Sequence, residues 1–332
     1  MLLLKLFRPL SKMMKKIVIA GGTGFLGSSL ARFLTERNFS VVVLGRHRPQ
    51  NMGNWNFSQW DAHSLGTWAK ELDGAYGVVN LTGRSVDCIK TPENCDDILR
   101  SRVESTRALG LAHSQCRTKP QVWVQMSTAH IYGDPVSRVC TEESALGYGL
   151  APTVGMAWEN EFNKVADPKL RKVILRTSFV LGKSGGALKR LEKLARLGLG
   201  GRVGQGNQGI SWIHEEDMNR VFLEALEKEA MGGVYIATAP RPVSNSVFMS
   251  ALRKAVRIKV GLPARSWMVR IGAYLLLRTD PDLALSGRYC EPKKLLTEGF
   301  RFKYSELGEA FKNIFSFPES HGRSTNLRPR GI

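Results

Sequence analysis

The chain has 332 residues, 43% of them hydrophobic and 23% charged, with a formal net charge of +19. Such a length and composition suit a large globular core and exclude a fibrous or low-complexity chain, and no apolar run reaches the ~20 residues of a membrane-spanning helix. The charge invites a nucleic-acid reading, but the excess is dispersed rather than gathered into a stripe interleaved with aromatics. That speaks against nucleic acid and suits an anionic small molecule.

Residues 1–15 carry Lys5, Arg8, Lys12 and Lys15 among apolar residues, with no acid. The pattern is consistent with a short mitochondrial transit peptide; a cytoplasmic protein starting at Met13 or Met14 is the alternative. The five cysteines (Cys88, Cys95, Cys116, Cys140, Cys290) form no C-x-x-C pair. Their spacing predicts reduced thiols and neither a disulfide framework nor a metal site.

The first strand, Ile17-Val-Ile-Ala20, runs into Gly21-Gly22-Thr23-Gly24-Phe25-Leu26-Gly27, and a helix is expected over Ser28–Arg37. Strand, glycine turn and helix form the context of a dinucleotide site. The glycines permit a tight turn, close backbone approach to a pyrophosphate, and helix–strand contact; the helix N-terminus offers N–H groups to phosphate.

The second strand ends at Gly45-Arg46-His47-Arg48, with no acid before Asp61. An acid here would read the ribose 2′-OH of NAD; an arginine accommodates a 2′-phosphate, so the expected cofactor is NADP(H), with Arg46 its reader. Asp61 is expected either at the adenine amino group or capping a helix begun by Ser64. A fourth strand, Gly77–Asn80, enters the Leu81-Thr82-Gly83 turn, followed by a helix over Ile98–Gln115. A fifth, Gln121–Met126, ends in Ser127-Thr128-Ala-His-Ile-Tyr-Gly133. A helix over Thr153–Val165 precedes a strand, Lys172–Gly182, that contains Phe179, Val180 and Leu181.

This alternation predicts an α/β fold: a doubly wound, Rossmann-type parallel sheet over 16–182, binding its ligand at the strands' carboxyl ends. A smaller, mainly helical lobe is expected over 183–316, with some return to the sheet near 210–240. Ala187–Leu197 is read as a lid whose Leu188, Leu191 and Leu194 face the crevice, and Asp217 as the N-cap of a helix over 218–227. The polar tail 317–332 is expected to be disordered.

These motifs resemble extended short-chain dehydrogenases/reductases, the group that contains the nucleoside-diphosphate-sugar epimerases. The glycine loop, Met126–Asp134, Arg176–Gly182 and Trp212–Asp217 carry that likeness. Asn80–Gly83, Ser101–Thr106, Trp158-Glu159, Ser211–His214 and Leu285–Phe302 resemble more narrowly the atypical 39U-type epimerase-family proteins, whose short C-terminal domain has no assigned role. The resemblance implies NADP(H) binding and an oxidoreductase with no assigned substrate; hydride transfer on a small carbonyl or alcohol is the activity expected here. It places Gly21–Gly27, Arg46, Asp61, Leu81, Thr82, Gly83, Arg102, Ser127 and Phe179–Leu181 at the cofactor.

One departure matters. The superfamily pairs a proton-donating Tyr with a Lys four residues on; here those slots hold Ala151 and Gly155. Thr128 keeps the place of the hydroxyl that holds the substrate oxygen. A substitute proton donor is sought among Tyr148, which is preferred, and Tyr132, His130 and His214. The alternative is a catalytically silent NADPH-binding scaffold or redox sensor. A homo-oligomer is compatible with either reading.

Overall fold

The computed structural model describes residues 14–135 and 138–316. The extension 1–13 and the tail 317–332, with the transit-peptide and disorder readings attached to them, lie outside the described residues. The first strands are β1 (Lys16–Ala20), β2 (Ser40–Gly45), β3 (Asn56–Gln59), β4 (Gly77–Asn80) and β5 (Val122–Thr128). Beyond the two-residue β6 (Val139–Cys140) comes β7 (Arg171–Thr177). Three short strands, β8 (Phe179–Leu181), β9 (Gly209–Ile210) and β10 (Trp212–His214), precede β11 (Gly233–Ala237).

One sheet runs β11-β7-β5-β4-β1-β2-β3, with every pairing parallel. Its central strands are apolar on both faces, with Ile17, Val18, Ile19 and Ala20 fully buried, as a sheet covered by helices on both sides requires. α1 (Phe25–Thr35) covers one face; α2 (Pro92–Ser114) and α3 (Leu150–Val165) cover the other. Chain direction in the strand order reverses between β1 and β4, which opens a crevice at their carboxyl ends.

α4 (Leu188–Arg196), α5 (Glu215–Glu227) and α6 (Asn245–Ala255) follow, with β12 (Val243–Ser244) before α6. α5 joins α1 on the sheet, contributing Met218, Val221 and Phe222 to the same core. The C-terminal lobe adds α7 (Ser266–Gly272), α8 (Asp282–Leu285), β13 (Tyr289–Cys290), α9 (Lys293–Thr297) and α10 (Leu307–Phe315). A separate cluster built on Leu188, Phe248, Leu252 and Phe311 is its core. Among the described residues no helix is long and apolar enough to cross a membrane.

Several expectations are corrected. α2 starts at Pro92, not Ile98: Thr91 accepts the Asn94 N–H and proline occupies the first turn, start signals independent of apolar periodicity. The strand expected over 172–182 splits at Ser178, and β8 leaves the sheet to pair with β10. The helix expected from Ser64 is a short 3-10 turn, Thr67–Glu71. α4 is not a lid on the crevice: its buried Leu188 and Ala195 join the α6–α10 cluster. Asp217 is not an N-cap. His214 caps α5 through Nδ1, which accepts the Glu216 N–H. The fully buried Asp217 carboxylate instead accepts the Lys303 and Tyr304 N–H groups, both at 2.8 Å, and ties the C-terminal segment to α5.

Candidate functional site

The glycines each answer a steric demand. Gly21 has φ +72°, and a Cβ there would stand 3.0 Å from Leu81 and Thr82 backbone atoms, so β1 and β4 close together at their carboxyl ends. A Cβ on Gly27 would lie 2.3 Å from Gly22 Cα, which lets α1 press on the turn. Gly24 differs: a Cβ there would meet only Gly21 O, at 3.6 Å. The protein does not fill that space, which lies at the head of α1. No side chain caps this helix and its first turn holds no acid. The loop is therefore a cradle with unclaimed N–H groups, as an anion site needs. Thr23 seats its methyl against Gly45, and the Phe25 ring lies under Gly182, Gly185 and Gly186. Leu26 packs against the core.

Arg46 projects from the end of β2, exposed, with no partner for its guanidinium among the described residues. It lines a cleft of about 480 Å³ with Gln59, Trp60, Asp61 and Ser64. Asp61 accepts from the His63 and Ser64 N–H groups, both at 3.0 Å, and from the Ser64 hydroxyl. Slight burial pushes its carboxyl up, but these hydrogen bonds outweigh it and hold the pKa at about 2. Asp61 thus caps a turn in the wall of the cleft.

At the end of β4 the Thr82 N–H donates to Asn80 Oδ1, while the Thr82 hydroxyl is buried with no partner among the described residues. This orphaned hydroxyl lies beside Gly21, where it is free to bond a bound cofactor. Gly83 leaves room for Arg102, whose guanidinium would lie 2.9 Å from a Cβ there. Arg102 donates to the Ile98 and Arg84 carbonyls and lies 5.0 Å over the Trp158 ring. Burial lowers its pKa to about 10. Trp158 bonds Thr106 through Nε1 and fills the α2–α3 seam instead of the crevice.

At the end of β5, Ser127 and Thr128 part ways. The buried Ser127 donates to Glu159 Oε1 at 2.6 Å and belongs to a core network. In that network Arg176 forks onto both Glu159 oxygens (2.8 and 2.7 Å) and donates to the Tyr132 hydroxyl (2.9 Å). Tyr132 is 1% exposed, and burial raises its pKa to about 12, so it is a packing residue. Thr128 is half-buried and caps the short 3-10 turn Ala129–Tyr132, accepting the His130 N–H at 3.1 Å. Its Oγ1 also lies 3.1 Å from His130 Nδ1. Burial, and secondarily Arg288, hold His130 well below the usual histidine range.

The structure does not bring Tyr148 to this group: it is 96% exposed. Ala151 is exposed as well, and Gly155 is packed, since a Cβ there would meet Ile131 at 3.1 Å. His214 is consumed in capping α5 and in stacking on Tyr304. Phe179 is half-buried against Phe248, with Val180 and Leu181 buried behind it. The crevice thus gathers Gly21–Gly27, Thr82, Gly83, Arg102, Thr128 and His130, with Arg46 and Asp61 on its outer wall. Sequence reasoning missed Arg288, which comes from the C-terminal segment and meets the β5 end only in the folded chain. It also ranked Tyr148 above His130.

The comparisons agree with this architecture. Residues 17–237 match the NAD dependent epimerase/dehydratase family, and residues 266–314 match a domain of unknown function, DUF1731. Epimerase family protein YfhF of Bacillus subtilis (strain 168) is 31% identical over 90% of this chain and 98% of that one. Epimerase family protein SDR39U1 of Homo sapiens is 27% identical over 90% of this chain and 99% of its own. The crystal structure of the human SDR39U1 (isoform 2) with NADPH superposes with a TM-score of 0.81 at 26% identity, covering 91% of this chain and 99% of that one. On its sequence and its fold, this chain belongs to the NAD dependent epimerase/dehydratase family and carries a DUF1731 segment over residues 266–314.

Proposed function

We propose that the chain is an NADP(H)-dependent oxidoreductase acting on a small carbonyl or alcohol. The observation that carries the cofactor half is the open cradle at Gly24, together with the orphaned Thr82 hydroxyl and the unpaired Arg46. The glycine loop and the head of α1 would hold the pyrophosphate, and Arg46 the 2′-phosphate. The NADPH in the human relative's crystal structure supports the same assignment.

The Thr128–His130 pair carries the chemical half. NADPH bound in the cradle would supply the hydride. Thr128 Oγ1 holds the substrate oxygen and gives it a proton. His130 Nδ1, 3.1 Å away, returns a proton to Oγ1, and Nε2 takes one from water. Burial keeps the ring neutral across the physiological range, which a two-nitrogen relay requires. The relay stands in for the absent Tyr–Lys pair.

A second reading, tight NADPH binding without turnover, is favoured by the exposure of Tyr148 and the closure of the Gly155 slot. A fluorescence titration with NADPH followed by an NADPH-consumption screen over carbonyl compounds separates the two. Consumption supports the enzyme; saturable binding with no consumption across the screen supports the silent binder.

A further inference from the structure

Among the described residues Arg102, Arg176 and Arg288 have largely buried guanidinium groups, and they are not equivalent. Arg176 is matched by both oxygens of Glu159. Arg102 is spent on two carbonyls and the Trp158 ring. Arg288 is 7% exposed, and Nε donates to Gly133 O at 2.7 Å. Among the described residues its four Nη hydrogens have no acceptor, and no carboxylate forms an ion pair with it. Asp134, the nearest acid, spends Oδ1 on the Gly287 N–H. The other ionisable neighbours are His130, Cys140 and Cys290.

The segment around Arg288 is locked. Its N–H donates to Gly209 O, and its carbonyl accepts the Ser211 hydroxyl. Gly287 and Gly209 touch so closely that a Cβ on Gly287 would lie 2.3 Å from Gly209 O. Next to it, Cys290 pairs with Cys140 across β13 and β6. Its Nη groups reach solvent, and among the described residues neither Asp134 nor the Cys140–Cys290 pair forms an ion pair with them, so a largely buried guanidinium is left able to take an anion from outside the chain. Arg288 reaches the Gly133 carbonyl, which closes the turn carrying Thr128 and His130.

We infer that Arg288 is a substrate-recognition residue: it takes a carboxylate of the substrate and sets the reacting carbonyl against the Thr128–His130 pair. A carboxylate suits the site better than a phosphate, because a planar two-oxygen anion matches the guanidinium fork and a single cation balances a single charge. The inference gives the C-terminal segment a role, delivering Arg288 across 155 residues of sequence to the β5 end. It rests on the oxidoreductase reading for the identity of the reacting carbonyl, but not for the anion site itself.

The test is binding, which needs no turnover. Acetate, oxamate and benzoate, their neutral amides, and inorganic phosphate are titrated against the apo and NADPH-loaded protein by thermal shift and NADPH fluorescence. At least one monocarboxylate is expected to bind saturably, tenfold or more tighter than its amide and tighter than phosphate. Arg288→Gln is expected to lose that binding at least tenfold while NADPH affinity is retained. Arg288→Lys keeps the charge without the fork, is expected to weaken binding three- to tenfold, and provides the contrast if the glutamine variant does not fold. Undiminished carboxylate binding in both variants, no carboxylate binding to either form of the wild type, or a preference for phosphate overturns the inference. Carboxylate binding with no turnover of any carbonyl refutes the oxidoreductase reading alone.

Discussion

Gly155 on α3 lies against Ile131 on the turn after β5, so close that a Cβ would stand 3.1 Å from Ile131 Cγ1 and 3.2 Å from Ile131 Cβ. Both positions are buried. The slot in which the superfamily carries a lysine is therefore a helix contact, and the missing Tyr–Lys pair is built into how α3 seats. Installing the lysine should not raise activity. Gly155→Lys should destabilise the fold by about 2 kcal/mol or more through overpacking, with Gly155→Ala milder. Denaturant unfolding of the two variants checks this; a lysine variant as stable as wild type would contradict it.

Cofactor choice should follow Arg46. A charge-assisted hydrogen bond contributes about 1.5–3 kcal/mol, so Arg46→Ala should weaken NADPH binding by roughly 10- to 100-fold and leave NADH binding nearly unchanged. Fluorescence titration with both nucleotides reads this directly. Equal losses for the two would remove Arg46 from the 2′-phosphate.

Glu159 neutralises Arg176 in a pocket where both side chains are under 10% exposed. Removing one partner of such a pair leaves the other charge buried alone, at a cost of about 3–5 kcal/mol. Glu159→Leu should therefore destabilise by that order, and Glu159→Leu with Arg176→Met should recover much of the loss. Urea titration of the single and double variants is the measurement.

Stability should fall on the acid side of neutrality. Burial holds His113, His130 and His214 below the ordinary histidine pKa of about 6.5. A depressed folded pKa means the unfolded chain binds the proton more readily. The resulting stability is present above about pH 6.5 and is lost as the pH falls toward the folded values, by up to about 1.4 kcal/mol per pH unit for each histidine. Replacing His130 by Asn should make that slope shallower between pH 6.5 and 5, as unfolding at a series of pH values would show.

The parts of this account legible in the sequence were local ones. The glycine loop, the apolar strands and Arg46 each lie within one stretch of chain, where spacing and residue type suffice. The position of Thr128 at the end of β5 was legible from the strand pattern; its contact with His130 was not. Contacts made across the chain were not. Asp217 looks like a cap until Lys303 and Tyr304 are seen to donate to it. Tyr148 looks like a loop tyrosine poised over the crevice, but in the folded chain it is 96% exposed. Arg288 stands in a segment without a motif of its own, and its meaning comes from Gly133 and His130, more than 150 positions earlier. The helix start at Pro92 was readable from Thr91 but hidden behind a polar first turn.

In the proposed mechanism the Thr128–His130 pair, not a tyrosine, completes hydride transfer from NADPH. That step is tested most directly by following deuterium from 4-deuterated NADPH into the alcohol formed from a carbonyl substrate, in wild type, Thr128→Ala and Thr128→Ser. The account predicts one deuterium per NADPH consumed. It predicts a rate reduced by about 10²-fold or more in the alanine variant, substantial rescue by serine, and unchanged NADPH affinity. Deuterium transfer at the wild-type rate in Thr128→Ala, or no transfer to any carbonyl by a protein saturated with NADPH, would contradict it.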